Sequence, residues 1–174
     1  MIKPALLYKE ELINKLRETW FKDKYKYYNY SSYFSDFELA TDTWINQQFV
    51  SVDKDNNILG YISYNVQRQT NNADEFGVIS FVDNSITFGK DLHQVLLDIF
   101  FKFNYNKLSF TVVVGNPIER YYDKTIKKYG GRIVGVRKQE AKLMDSRLYD
   151  VKLYEITRDE FISVYNFVHK IGKS

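Results

Sequence analysis

The 174-residue chain contains no cysteine, only two prolines and eight glycines. Without a thiol there is no disulfide, no thiolate metal site and no cysteine nucleophile. Long apolar runs are also missing: the longest, Ala5–Tyr8, has four residues. A membrane-spanning helix needs about 20 apolar residues, so the sequence predicts neither a span nor a signal-peptide core, and a cytoplasmic setting is expected. Charge of one sign is scarce. The net charge of +3 and pI of 8.8 make a mild basic bias, which fits an anionic ligand but does not mark a nucleic-acid binder. Eighteen lysines stand against seven arginines, beside thirteen asparagines. Part of that richness is what AT-rich coding produces. No internal repeat, Gly-x-Gly-x-x-Gly loop, P-loop or Gly-x-Ser-x-Gly elbow occurs, which disfavours solenoids and nucleotide-binding α/β folds.

Aromatic residues are abundant: 13 Phe, 15 Tyr and 2 Trp. That much apolar surface excludes disorder, and the length suits one domain over residues 1–174 with a substantial core. Ile2 to Tyr8, with Pro4 near its start, reads as an edge strand or lead-in. Leu12, Ile13, Leu16 and Trp20 stripe one face of a helix. Phe21 to Phe37 alternates Lys and Tyr; it reads as an aromatic-lined loop and helix over the core edge or an acceptor cleft. The other reading of that run is a base-stacking surface for single-stranded nucleic acid, using Tyr25, Tyr27, Tyr28 and nearby lysines.

Gln48–Val52 and Ile58–Val66 form a hairpin around the turn formers of 53–57. Gly60 suggests a bulge or a close backbone approach. Gln67 to Asp74 reads as a turn and Glu75–Val82 as a third antiparallel strand. Leu92, Val95, Leu96, Ile99, Phe100 and Phe103 stripe a long helix from Gly89. Lys107–Val114 follows as a strand, and a strand–helix–strand crossover makes it a parallel neighbour of Glu75–Val82. Asn116-Pro117-Ile118-Glu119 combines an N-cap, a first-turn proline and a capping-box acid. That helix closes on Gly130-Gly131. Arg132–Lys138 and Leu148–Ile156 are two more strands, and Thr157 with Glu160 caps a final helix. The sum is a single α/β domain around a mixed sheet of six or seven strands flanked by helices.

This order resembles the GNAT superfamily of acyl-CoA N-acyltransferases, over roughly residues 2–156. The stretch FTVVVGNPIERYYDKTIKKYGGRIVGV carries the resemblance best: a strand, an Asn-initiated helix bearing a Tyr, a Gly and a returning strand. Asn116, Tyr122 and Gly130 match in kind. Tyr122 lies six residues after Asn116 and Gly130 fourteen after; both spacings depart from the common form, and the helix is about one turn longer. Tyr121 competes for the tyrosine's place. The family's pyrophosphate loop, Arg/Gln-x-x-Gly-x-Gly/Ala before the long helix, is reduced here to Thr87-Phe88-Gly89-Lys90-Asp91-Leu92. Gly89 would let backbone N–H groups approach phosphate at a helix start, Lys90 would add a positive charge, and Asp91 would oppose an anion if it faced the same way. An ordinary helix start explains the same residues.

The resemblance implies an N-acetyltransferase with acetyl-CoA as co-substrate, no metal, and a small-molecule or peptide amine as acceptor, the protein being a monomer or homodimer without membrane or nucleic-acid partners. It implies a cleft between the ends of the strands at Val82 and Val114. Backbone groups of Ser80, Phe81 and Val82 would hold the pantetheine arm, with Gly89, Lys90 and Asn116 completing the cofactor side. Tyr122 would protonate the departing thiolate, or else be a core tyrosine. Glu75, with Asp74 as the alternative, is the candidate general base. His93 and His169 lack a second ligand at metal spacing. Asp36, Glu38 and Asp42 would lend the acceptor loop negative charge and favour a cationic acceptor. A catalytically silent fold acting as a binding module is the alternative function.

Overall fold

Runs rich in Val, Ile and Tyr become strands and the striped segments become helices in the computed structural model, which describes residues 1–28 and 37–171. The elements are β1 (Ile2–Pro4), α1 (Lys9–Arg17), β2 (Asn46–Val52), β3 (Ile58–Gln67), β4 (Asn72–Ser80), α2 (Ile86–Leu97), β5 (Lys107–Val113), α3 (Glu119–Tyr129), β6 (Arg132–Lys142), β7 (Leu148–Thr157) and α4 (Arg158–Ile171). One seven-stranded sheet runs β1-β2-β3-β4-β5-β7-β6. Every neighbouring pair is antiparallel except β4 and β5, the parallel pair that the α2 crossover requires. This is the mixed α/β sheet read from the sequence.

Alternation along the strands splits the apolar residues between two faces. Ile62, Tyr64, Val66, Leu108, Phe110, Tyr154 and Ile156 pack under α2, α3 and α4. Val50, Val52, Tyr61 and Ile79 pack with Leu12 of α1 and with Tyr25 and Leu39 of the long connection. A third, small cluster joins Val113, Ala141, Leu143 and Val151. Gly60 makes the close approach that its sequence context suggests: a Cβ there would stand 2.4 Å from the Phe88 ring.

Four boundaries differ from expectation. The first strand stops at Pro4, and Ala5–Tyr8 coil into a 3-10 turn that buries Ala5. β4 starts at Asn72 instead of Glu75, because Asn71 takes the left-handed conformation (φ 54°) and completes the reversal early. β6 continues to Lys142, four residues beyond the apolar signal, as the outer strand of a hairpin with β7. Helix α2 begins at Ile86, with the Ser85 hydroxyl accepting from the Phe88 N–H at 3.1 Å. Ser85 is an N-cap residue, so it starts the helix one turn before Gly89.

The break between β4 and β5 positions the site. The two strands pair only at Asn72–Lys107 and Ala73–Leu108. Just beyond, β4 bulges: Asp74 faces Asn65 and Gly77 faces Ser63, so Glu75 and Phe76 both stand opposite Tyr64. Glu75 holds a left-handed φ of 51°.

Candidate active site

Past the bulge β4 and β5 enclose a cleft of about 630 Å³. All three apolar clusters contribute to its lining: Val78, Val112 and Tyr122 from the helix face, Tyr61, Ile79 and Tyr28 from the α1 face, and Val113 and Tyr27 from the small cluster. A sheet that stayed paired here would keep its two faces apart. The splay opens a passage between them.

Tyr122 reaches this cleft from α3. It is 4% exposed, its ring meeting Phe110 edge-on at 4.7 Å and Tyr154 at 5.9 Å. Burial, reinforced by the neighbouring phenols of Tyr28 and Tyr121, raises its pKa well above the ordinary tyrosine range, so it keeps its proton at neutral pH. Tyr121 stands on the exposed side of α3 and outside the cleft lining. The geometry therefore separates two tyrosines that the sequence leaves in competition.

The start of α3 fixes this placement. The Asn116 side chain is buried and accepts from the Ile118 N–H at 3.1 Å, and Glu119 reaches back to the Gly115 N–H at 2.9 Å. Regular helix begins at Glu119, after a turn over 116–118. Asn116 also lines the cleft. Glu119 pairs with Lys152, whose ammonium lies 3.3 Å from Asp123. Burial works against the Glu119 charge, but the hydrogen bonds from Lys152 and the Gly115 N–H prevail and hold its carboxyl below the usual range. Gly130 closes α3 in the left-handed conformation (φ 80°).

Glu75 lines the cleft from the bulge, and its carboxylate accepts from the Asn65 amide at 2.6 Å. Asp74 is outside the lining and carries a buried carboxylate oxygen without a hydrogen-bond partner. Glu38 and Asp42 are exposed and also outside the lining, the Asp42 carboxylate accepting from the Trp44 N–H. Asp36 lies outside the described residues, and nothing is described of the His169 side chain. His93 meets the Tyr129 hydroxyl through Nδ1 at 3.2 Å. Among the described residues no three His, Cys, Asp or Glu side chains gather to hold a metal ion, and no helix is long and apolar enough to cross a membrane.

On the expected cofactor side, Ser80 ends β4, and its hydroxyl donates to the Val82 carbonyl at 2.6 Å. The Phe81 N–H turns the other way, donating to Leu59 O of β3 at 2.9 Å. Strand alternation then points the backbone groups of Val78 and Ser80 into the gap. Gly89 and Lys90 are corrected in placement: both lie inside α2, where the Gly89 N–H donates to Ser85 O at 3.0 Å. The first-turn N–H groups that a helix leaves without an internal partner are those of Ile86 and Thr87. Asp91 faces away from that end and accepts from the Ser51 hydroxyl. The resemblance implied a gap near Val82 and Val114; that it opens as early as Ala73–Leu108, the bulge and the earlier helix start are what sequence reading missed, and Asn84-Ser85 before an apolar stripe was the signal for the helix.

By sequence, no family model and no curated protein matches the chain. Solved structures match in fold. The spermidine/spermine N-acetyltransferase SpeG from Vibrio cholerae, in complex with manganese ions, is 20% identical, with 71% of each chain covered and a TM-score of 0.59. A chimera of the Vibrio cholerae enzyme with hSSAT is 21% identical over 70% of this chain and 73% of the other, at a TM-score of 0.58. Mutant forms of the Vibrio cholerae enzyme reach 23% identity over 68% of this chain and 70% of theirs, at 0.56. At such identities the likeness speaks for architecture, and the architecture is that of the GNAT fold.

Proposed function

We propose that the chain is an N-acetyltransferase that moves an acetyl group from acetyl-CoA to the primary amine of a cationic acceptor. The observation that carries this reading is the cleft between β4 and β5, which Tyr122 and Glu75 line together. The amine-acetylating enzymes of like fold support it. The residues present fit the co-substrate: Val78 and Ser80 offer strand N–H and C=O groups to an extended amide-bearing arm, and the N–H groups of Ile86 and Thr87 offer a helix terminus to its phosphates.

Glu75 takes a proton from the acceptor ammonium, directly or through a water, and leaves an amine nucleophile. The Val78 N–H polarises the thioester carbonyl as that amine attacks and the C–S bond breaks. Tyr122 gives its proton to the departing thiolate, its protonated state at neutral pH suiting the task, and the acylated nitrogen sheds its second proton to the resulting tyrosinate, directly or through a water. Holding both substrates in one cleft supplies the entropic part of the rate.

Replacing Tyr122 by Phe keeps the ring and removes the donor. Turnover should fall about 10²-fold with acetyl-CoA affinity and melting temperature nearly unchanged; unchanged turnover in a folded variant would remove Tyr122 from the mechanism. The second reading is a binding module without catalysis, favoured by the Gly89 N–H being engaged inside α2. Calorimetric titration with acetyl-CoA separates the two. Binding followed by thiol release with an amine supports the enzyme, and no binding at millimolar concentration supports the module.

A further inference from the structure

The cleft combines few charges with many rings. Among the described residues that line it, Glu75 is the one carboxyl side chain, and no lysine or arginine joins it. Around it stand four aromatic side chains that belong to the α1 side or the small cluster: Tyr27, Tyr28, Phe37 and Tyr61. Phe37 meets Tyr61 edge-on at 5.5 Å, and Tyr25 backs Tyr28 at 5.8 Å. Desolvation raises the pKa of both Tyr28 and Tyr61, so this wall is uncharged at working pH.

Such a wall recognises two things. Its ring faces attract one ammonium, and its edges and faces stack on an apolar or aromatic body. A chain of several ammonium groups is a poor fit. One charge can be met by Glu75, but among the described lining residues each further charge meets only rings, aliphatic side chains and the neutral groups of Ser63, Thr111 and Asn116, and gains no second carboxylate for the water it loses. The volume of about 630 Å³ has room for a ring beside the thioester end of the co-substrate.

Resting on the acetyltransferase reading above, we infer that the acceptor is a monoamine, with one ammonium beside Glu75 and an aromatic or branched apolar body against Tyr28, Phe37 and Tyr61, and not a polyamine. The inference concerns this chain alone, since the enzymes of like fold named above carry spermidine in their names.

The test compares 2-phenylethylamine with spermidine on the full chain. Affinity for each amine is measured by calorimetry in the presence of a non-reactive coenzyme A analogue, and rates are measured as thiol release with acetyl-CoA. The monoamine is expected to be favoured about 10-fold or more in both measurements. Phe37→Leu and Tyr28→Leu should raise its KM about 10-fold, and should raise that of methylamine, which has no body to stack, by far less. Preference for spermidine in both measurements overturns the inference and leaves acetyl transfer standing. Tighter monoamine binding without thiol release sustains the inference and overturns the enzyme reading. Failure of 2-phenylethylamine to bind overturns the inference, as does a KM unchanged in both Leu variants.

Discussion

The two faces of the sheet are built to different standards. Under α2, α3 and α4 the aromatic rings interlock: Phe100 stacks on Phe161 at 4.4 Å, Tyr129 meets Phe161 at 4.9 Å, and Phe110 stacks on Tyr154 at 5.0 Å. Two of the three helices there carry side-chain caps, Ser85 on α2 and Thr157 with Glu160 on α4, while α3 has none. On the other face α1 has no side-chain cap, and the covering connection shows one short 3-10 turn, Asp23–Tyr25, among its described residues. Tyr27 and Tyr28 line the cleft, while Tyr25 packs in the smaller core. The helix face carries the interlocked rings and holds Tyr122; the α1 face supplies aromatic side chains to the cleft.

The sharpest way to break the contrast is Phe161→Ala. Phe161 of α4 is fully buried, and its loss should cost about 3–5 kcal/mol in denaturant unfolding. Second comes Gly60→Ala. Its Cβ would meet the Phe88 ring at 2.4 Å and the Ile79 carbonyl at 2.7 Å, so α2 must shift and stability should fall by about 1–3 kcal/mol. If Gly60→Ala melts like the parent, the helix face is looser than its packing implies.

The third change probes charge beneath the cleft. The folded-state pKa of Glu119 is depressed, so its contribution is present above the ordinary carboxylate range and lost as pH falls through the lower folded value. Glu119→Gln should cost about 1–2 kcal/mol at pH 7, and the gap to the parent should close as pH drops below about 4. A gap that does not depend on pH would assign the loss to packing. The smallest effect on stability is expected from the α1 face: Tyr28→Leu should stay within about 1 kcal/mol of the parent, while its amine kinetics change. A large loss of stability there would make Tyr28 a core residue and remove the distinction between the faces.

Much of the molecule is legible in the residues. Gly130 marked the end of α3, because a left-handed glycine is local chemistry, while Asn116, expected as the N-cap, instead closes the turn before the helix, which begins at Glu119. The crossover between β4 and β5 followed from a helix long enough to span the sheet. What escaped was set by context. The start of α2 hung on Ser85, a capping signal as specific as that of Asn116, which the glycine further on outcompeted. Tyr121 and Tyr122 differ by about 100° around the helix, and only the docking of α3 on Phe110 and Tyr154 says which one enters the cleft.

The sequence by itself determined the order of the elements, the caps that start and stop them and the aromatic residues that fill both faces, since these depend on contacts within a few residues. Only the tertiary structure decided that β4 and β5 part after two pairs, that Glu75 sits in a bulge, and that Tyr122 and Glu75 line one cleft. Strand pairing joins residues far apart in the chain, here Asn72 with Lys107. Where that pairing ends is fixed by the packing of both faces at once, and no local pattern carries that information.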